Sequence, residues 1–105
     1  MADAFRVWAG GDAHVGTDLA RGDRTSLRDV ILQAEEGGRE GGPPFEWDIM
    51  IDIGDTSGSQ TPPDDEEGEE VVRQYAASTA HPRADFYNIV GNHDASGPDE
   101  PCQWW

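Results

Sequence analysis

The chain has 105 residues, 35% of them hydrophobic and 28% charged, with 22 acids against seven basic residues and a formal charge of -15. That length allows one small domain burying about two-thirds of its unfolded surface, and the acid excess excludes holding a nucleic-acid backbone or an anionic membrane by simple charge attraction. Divalent cations are the natural guests of such a chain. All seven basic residues are arginine, which fits a salt-rich cytoplasm and fits equally a genome that favours Arg and Asp. Cys102 is the single cysteine, so no internal disulfide forms and no oxidising compartment is needed. With no signal-like start and no apolar run near the ~20 residues that span a bilayer, the expected protein is soluble and cytoplasmic, with no membrane partner.

Phe5 to Ala9 (FRVWA) is a run of strand formers that breaks at Gly10-Gly11-Asp12. From Asp23 onward Leu27, Val30, Ile31 and Ala34 follow the spacing of one helical face, Ser26 and Asp29 are placed like a capping box, and Gly37-Gly38 ends the helix. After a loop at Gly41-Gly42-Pro43-Pro44, Trp47 to Ile53 (WDIMIDI) alternates, with Ile49, Ile51 and Ile53 on one face. Thr56 to Pro63 reads as a loop. Asp64, Asp65, Glu66, Glu67, Glu69 and Glu70 then open a second helix carried by Val72, Tyr75, Ala76 and Thr79, with acids at its positive N-terminal end and His81-Pro82 at its close. A solvated helix start is the better reading of that acidic run than a cation site. Phe86 to Val90 (FYNIV) is a third strand, broken at Gly91-Asn92, and Ser96 to Pro101 is a further polar loop.

Strand, helix, strand, helix, strand predicts an α/β fold with parallel strands, whose C-terminal ends share one edge of the sheet. Ligands of such folds bind at that edge. Each strand delivers chemistry there: Asp12 and His14 in Gly11-Asp12-Ala13-His14, Asp55 after Gly54, and Asn92, His93 and Asp94 after Gly91. Carboxylate oxygens mixed with imidazole nitrogens suit zinc, iron or manganese, whereas calcium or magnesium would want oxygen alone. Asp-x-His on a turn is by itself commonly a polar loop, and Gly-Asp after a strand commonly a turn or cap. Three such motifs, in order and each at a strand end, point to a metal site.

GDAH, GD and GNHD, in this order and spacing, resemble the first three motifs of the calcineurin-like metallophosphoesterase family. The resemblance implies that residues matching Asp12 and His14 hold a first metal, that Asp55 bridges two divalent ions (Mn, Fe or Zn), and that Asn92 binds the second. It makes His93 and Asp94 the catalytic pair: His93 assists the phosphoryl oxygens or leaving group, and Asp94 orients it. Two ions about 3.5 to 4 Å apart hold a phosphate oxygen and activate a water for in-line attack. The implied fold is a two-sheet sandwich flanked by helices. The family continues with another histidine and a Gly-His-x-His motif that this chain lacks, and Trp104 and Trp105 end the sequence. Residues 1–105 are therefore expected to be the N-terminal part of such a domain, inactive alone.

The expected function is hydrolysis of a phosphate monoester or diester, with nucleic acid entering only as a substrate. The alternative is a non-catalytic metal-binding or scaffold protein of the same fold. Neither G-x-G-x-x-G nor a P-loop lysine follows the first strand, which disfavours nucleotide binding of those kinds. Phe5, Val7, Trp8, Trp47, Tyr75, Phe86 and Tyr87 are expected in the core, and Asp52 in structural hydrogen bonding.

Overall fold

Three runs of strand-forming residues pair side by side into a parallel sheet: β1 (Val7–Gly10), β2 (Ile49–Asp52) and β3 (Phe86–Asn88), in the order β1-β2-β3. Val7 lies opposite Ile49 and Gly10 opposite Asp52, while Met50 lies opposite Phe86 and Asp52 opposite Asn88. Two helices, α1 (Ser26–Glu36) and α2 (Asp65–Tyr75), occupy the connections. The architecture is thus mixed α/β in the expected element order. The structure, a computed structural model, describes residues 3–16, 25–38, 42–58 and 65–94. Asp23, Gly41, Asp64, loop residues 59–63 and 96–101, and Cys102, Trp104 and Trp105 lie outside them. Among the described residues no helix is long and apolar enough to cross a membrane.

Helix α1 begins one residue earlier than the expected capping box. Thr25 is the extended N-cap residue (φ -116°, ψ 142°), and the buried Asp29 carboxylate accepts from its backbone N–H, while Asp29 N–H donates to the Thr25 carbonyl at 3.1 Å. The side chain reaching back thus satisfies a donor that the helix itself cannot. Gly37 ends the helix at φ 75°, donating to Gln33 O, and a Cβ there would press on Pro44.

The core joins Leu27, Ile31 and Ala34 of α1 and Val71 and Tyr75 of α2 to Val15, Trp47, Met50 and Phe86, with Trp8 and Ala13 against them. Both helices therefore cover one face of the sheet. It is not the face of Ile49, Ile51 and Ile53. Met50 is 3% exposed and Ile53 60%. Alternation assigns residues to faces, but the side on which the helices pack decides which face is buried. Phe5, Val7 and Tyr87, expected in the core, are exposed on or beside the uncovered face. Val30 and Val72 are also exposed, and α2 stops at Tyr75, so Ala76 and Thr79 lie beyond it. The buried stripe of α2 includes Val71, Gln74 and Tyr75 because polar bonds fix its rotation: Gln74 Oε1 accepts from Arg28 N–H at 3.0 Å, and the Tyr75 hydroxyl meets β3.

The turn after α2 is clasped to α1 by Glu35, which accepts from the Ser78 hydroxyl and the backbone N–H groups of Thr79 and Ala80. Burial pulls the Glu35 carboxyl up, but these donors outweigh it and hold it below its ordinary value. His81 sits past the helix, stacked on Trp47 (ring centroids 3.5 Å apart, 17° between planes) and paired through Nδ1 with Asp85 at 3.0 Å.

Candidate metal centre

Beyond their strand ends, β1 and β2 do not part. Ile53 N–H donates to Gly10 O at 2.8 Å, Asp12 N–H to Gly54 O at 3.0 Å, His14 N–H to Asp55 O at 3.0 Å and Val15 N–H to Thr56 O at 2.8 Å. Buried Val15 then bridges Ser57 and anchors the pair in the core. The first two motif loops are thereby laid side by side. Within them the non-glycine residues with positive φ, among those described, are Asp12 (57°), His14 (51°) and Asp55 (55°). Left-handed backbone is uncommon outside glycine and costs about 1 kcal/mol or more per residue, so it persists only where the surroundings enforce it. All three are residues nominated above as ligands of the first ion.

The third loop is held against the second by Asp94, whose side chain is fully buried. One of its oxygens accepts from Asp55 N–H (2.9 Å) and Gly91 N–H (2.8 Å), the other from Ser57 N–H (2.9 Å) and the Ser57 hydroxyl (2.9 Å). The carboxylate is thus engaged by donors of Asp55, Ser57 and Gly91, and the His93 ring is aimed by the Gly58 carbonyl, 3.1 Å from its Nδ1. A carbonyl only accepts, so Nδ1 carries the proton and the lone pair of the neutral ring lies on Nε2. Gly91 is required for the approach: a Cβ there would overlap the Asp55 carboxylate and backbone nitrogen.

The side chains meet at the shared edge. His14 Nε2 lies 3.5 Å from Asp12 Oδ1 and 3.7 Å from Asp55 Oδ2, the His14 and His93 rings stand 4.6 Å apart, and Asp55 Oδ1 accepts from His93 N–H at 2.9 Å. Among the described residues His14, Asp55 and His93 form a group whose ligand atoms all lie within 4.8 Å of one another, each partly buried. Asp12, with 69% of its side chain exposed, reaches His14 but stands outside that group. Asn92 is exposed at the head of the His93 turn. Ligand atoms about 2.1 Å from a tetrahedral ion are about 3.4 Å from one another, so this set would have to close by up to about 1.4 Å around one. Two imidazoles and a carboxylate suit zinc, iron or manganese.

A buried polar layer supports the edge from beneath. Asp52 accepts from Gly54 N–H at 2.9 Å and faces the Tyr75 hydroxyl at 3.5 Å, and Asn88 donates to that hydroxyl at 2.7 Å and to Thr56 at 3.2 Å. Arg83 lies over the Tyr75 ring, 4.3 Å from its centroid, and donates to the Asn88 side-chain oxygen Oδ1 at 2.7 Å. Loss of solvent raises the Asp52 carboxyl above its ordinary value, with nearby Asp94 adding repulsion against the lowering effect of its hydrogen bonds. Burial, then the Asp52 charge, pushes the Tyr75 hydroxyl up to about 12. The structural role expected for Asp52 is the one observed.

Sequence reasoning passed over Ser57, Gly58 and Glu67, which brace the second loop. Glu67 Oε1 accepts from Gly58 N–H at 3.1 Å, so this member of the acidic run is not simply solvated. No local signal marks Ser57 or Gly58, because their partners Asp94 and His93 lie 37 and 35 residues away, and only the folded turn brings Glu67 back to Gly58. Compared with family models, curated proteins and solved structures, the chain matches none.

Proposed function

We propose that the protein hydrolyses phosphate esters with the help of divalent metal ions held at the C-terminal edge of its sheet, the activity implied by the GDAH, GD and GNHD motifs. One observation carries this reading. Residues from three separate loops converge there, and Asp12, His14 and Asp55 are held in left-handed backbone where they do so. Two ions, when bound, would supply positive charge to hold a phosphate oxygen and acidify a water.

The chain's own residues then have distinct tasks. His14 and Asp55 anchor, Asp12 and Asn92 add donors at the exposed rim, and Asp94 keeps the Asp55 and His93 loops in register. His93 stands where it can meet either an ion or a phosphoryl oxygen. In the absence of cations, Asp12 and Asp55 repel an anionic substrate, so cations must enter first. We place the activity in the cytoplasm, since the single cysteine asks for no oxidising compartment.

The second reading is metal binding without hydrolysis, favoured by the small donor set of His14, Asp55 and His93. A single experiment separates the two. The metal-stripped protein is reloaded with Mn²⁺, Zn²⁺ or Fe²⁺, its metal content measured, and a generic phosphomonoester and phosphodiester offered. Turnover that needs metal and disappears in Asp55→Asn supports the enzyme. Bound metal with no turnover is the result expected of residues 1–105 alone, and it selects the second reading only if a longer chain carrying the Gly-His-x-His motif is also inactive; a chain that retains no metal refutes both.

A further inference from the structure

We propose that the first ion taken up is coordinated by His14, Asp55 and His93 together, making His93 a metal ligand and leaving Asp12 dispensable for that step. The inference rests on reading this sheet edge as a metal centre, but it does not depend on hydrolysis. Four features of the site lead to it.

Among the described residues the trio is the set whose ligand atoms close to within 4.8 Å, and it draws on all three loops. The Nδ1 proton of His93 is donated to the Gly58 carbonyl, which fixes the tautomer and places the lone pair on Nε2. An imidazole that binds a metal through one nitrogen typically donates the other N–H to a carbonyl or carboxylate in this way. Asp55 is prepared in the same sense: Oδ1 is engaged by His93 N–H, while Oδ2 is the oxygen nearer His14. Asp12, by contrast, remains largely exposed and stands outside the converging trio, so its carboxylate retains hydration that it would have to shed on binding.

Two imidazoles and one carboxylate leave the remaining coordination positions to water or an incoming oxygen ligand, as in other two-histidine, one-carboxylate sites. Nitrogen donors disfavour Mg²⁺ and Ca²⁺, which take oxygen. The ligand is therefore a single transition-metal dication, Zn²⁺ or Co²⁺ by choice of probe. Asp12 and Asn92 at the rim would serve a second ion only after the first is in place.

The test uses the metal-stripped 105-residue protein. Zn²⁺ is titrated against a chromophoric chelator, and Co²⁺ by its visible absorption, into the parent and into His14→Ala, His93→Ala and Asp12→Ala. The expected result is one tight equivalent. Its affinity should fall in His14→Ala and His93→Ala by more than the 10- to 100-fold typical of residues that merely orient a ligand, and by less than about threefold in Asp12→Ala. Should either histidine variant fail to fold, the parent decides the matter through imidazole nitrogen NMR: one equivalent of Zn²⁺ should shift His14 and His93 while leaving His81 in place. Parent-like Zn²⁺ affinity in folded His93→Ala overturns the proposal, as does a His93 ring unmoved by Zn²⁺. Tight binding through His93 leaves it standing whether or not phosphoesterase activity accompanies it, so activity bears on the hydrolytic reading alone.

Discussion

A carboxylate with no exposure is tolerated only if its oxygens are satisfied, and Asp94 meets four donors from two loops. In Asp94→Asn one oxygen becomes an NH₂ that faces a backbone N–H, leaving donors opposed. The variant should lose about 2 to 4 kcal/mol, read from its urea midpoint, and its metal affinity should fall as the Asp55 and His93 loops separate. Asp52 carries the opposite sign. Its folded carboxyl is raised above its ordinary value, so the associated stability is present at acid pH and lost as pH climbs through the folded value. Asp52→Asn cannot ionise and should therefore gain stability relative to the parent between pH 4 and pH 7, compared by urea midpoints at both. The candidate residues were legible as motifs, whereas the partners that hold them were not. Asp94 adjoins His93 in sequence, yet the turn directs its carboxylate to amides 37 and 39 residues away.

Among the elements, the order and parallel pairing of β1, β2 and β3 followed from strand formers alternating with helical spacing. Which face is buried did not. A parallel sheet is ordinarily apolar on both faces, so Val7, Ile53 and Tyr87 carry the same compositional signal as Met50 and Phe86. The distinction arises only when α1 and α2 pack, and their rotation is set by Tyr75 and Gln74 reaching polar partners. A pair of substitutions measures the result. Met50→Ala removes a side chain from the core and should cost about 2 to 5 kcal/mol. Ile53→Thr alters a residue already 60% exposed and should stay within about 0.5 kcal/mol of the parent. Similar losses for both, in chemical denaturation, would mean that the helices do not cover the face described.

At the scale of the whole molecule, a formal charge of -15 opposes compaction, and two kinds of cation relieve it by different physics. Sodium chloride acts diffusely: between 0.1 M and 1 M the screening length falls from about 10 Å to about 3 Å, weakening repulsion among exposed acids without occupying any site. A transition metal acts locally, stabilising the folded state by preferential binding in proportion to the logarithm of its free concentration over its dissociation constant. The two increments should therefore be separable. We expect the thermal midpoint to rise between 0.1 and 1 M NaCl in the parent and in Asp55→Asn alike, since one acid among 22 hardly changes the diffuse term. Submillimolar Mn²⁺ or Zn²⁺ should raise the midpoint further in the parent and far less in Asp55→Asn, because the variant loses a charged donor at the junction of all three loops. Scanning calorimetry at fixed protein concentration, with and without metal at both salt levels, provides the four values required of each protein. A metal increment that survives Asp55→Asn but vanishes in 1 M NaCl would assign the cation to the diffuse acidic surface and leave the convergent edge without its guest.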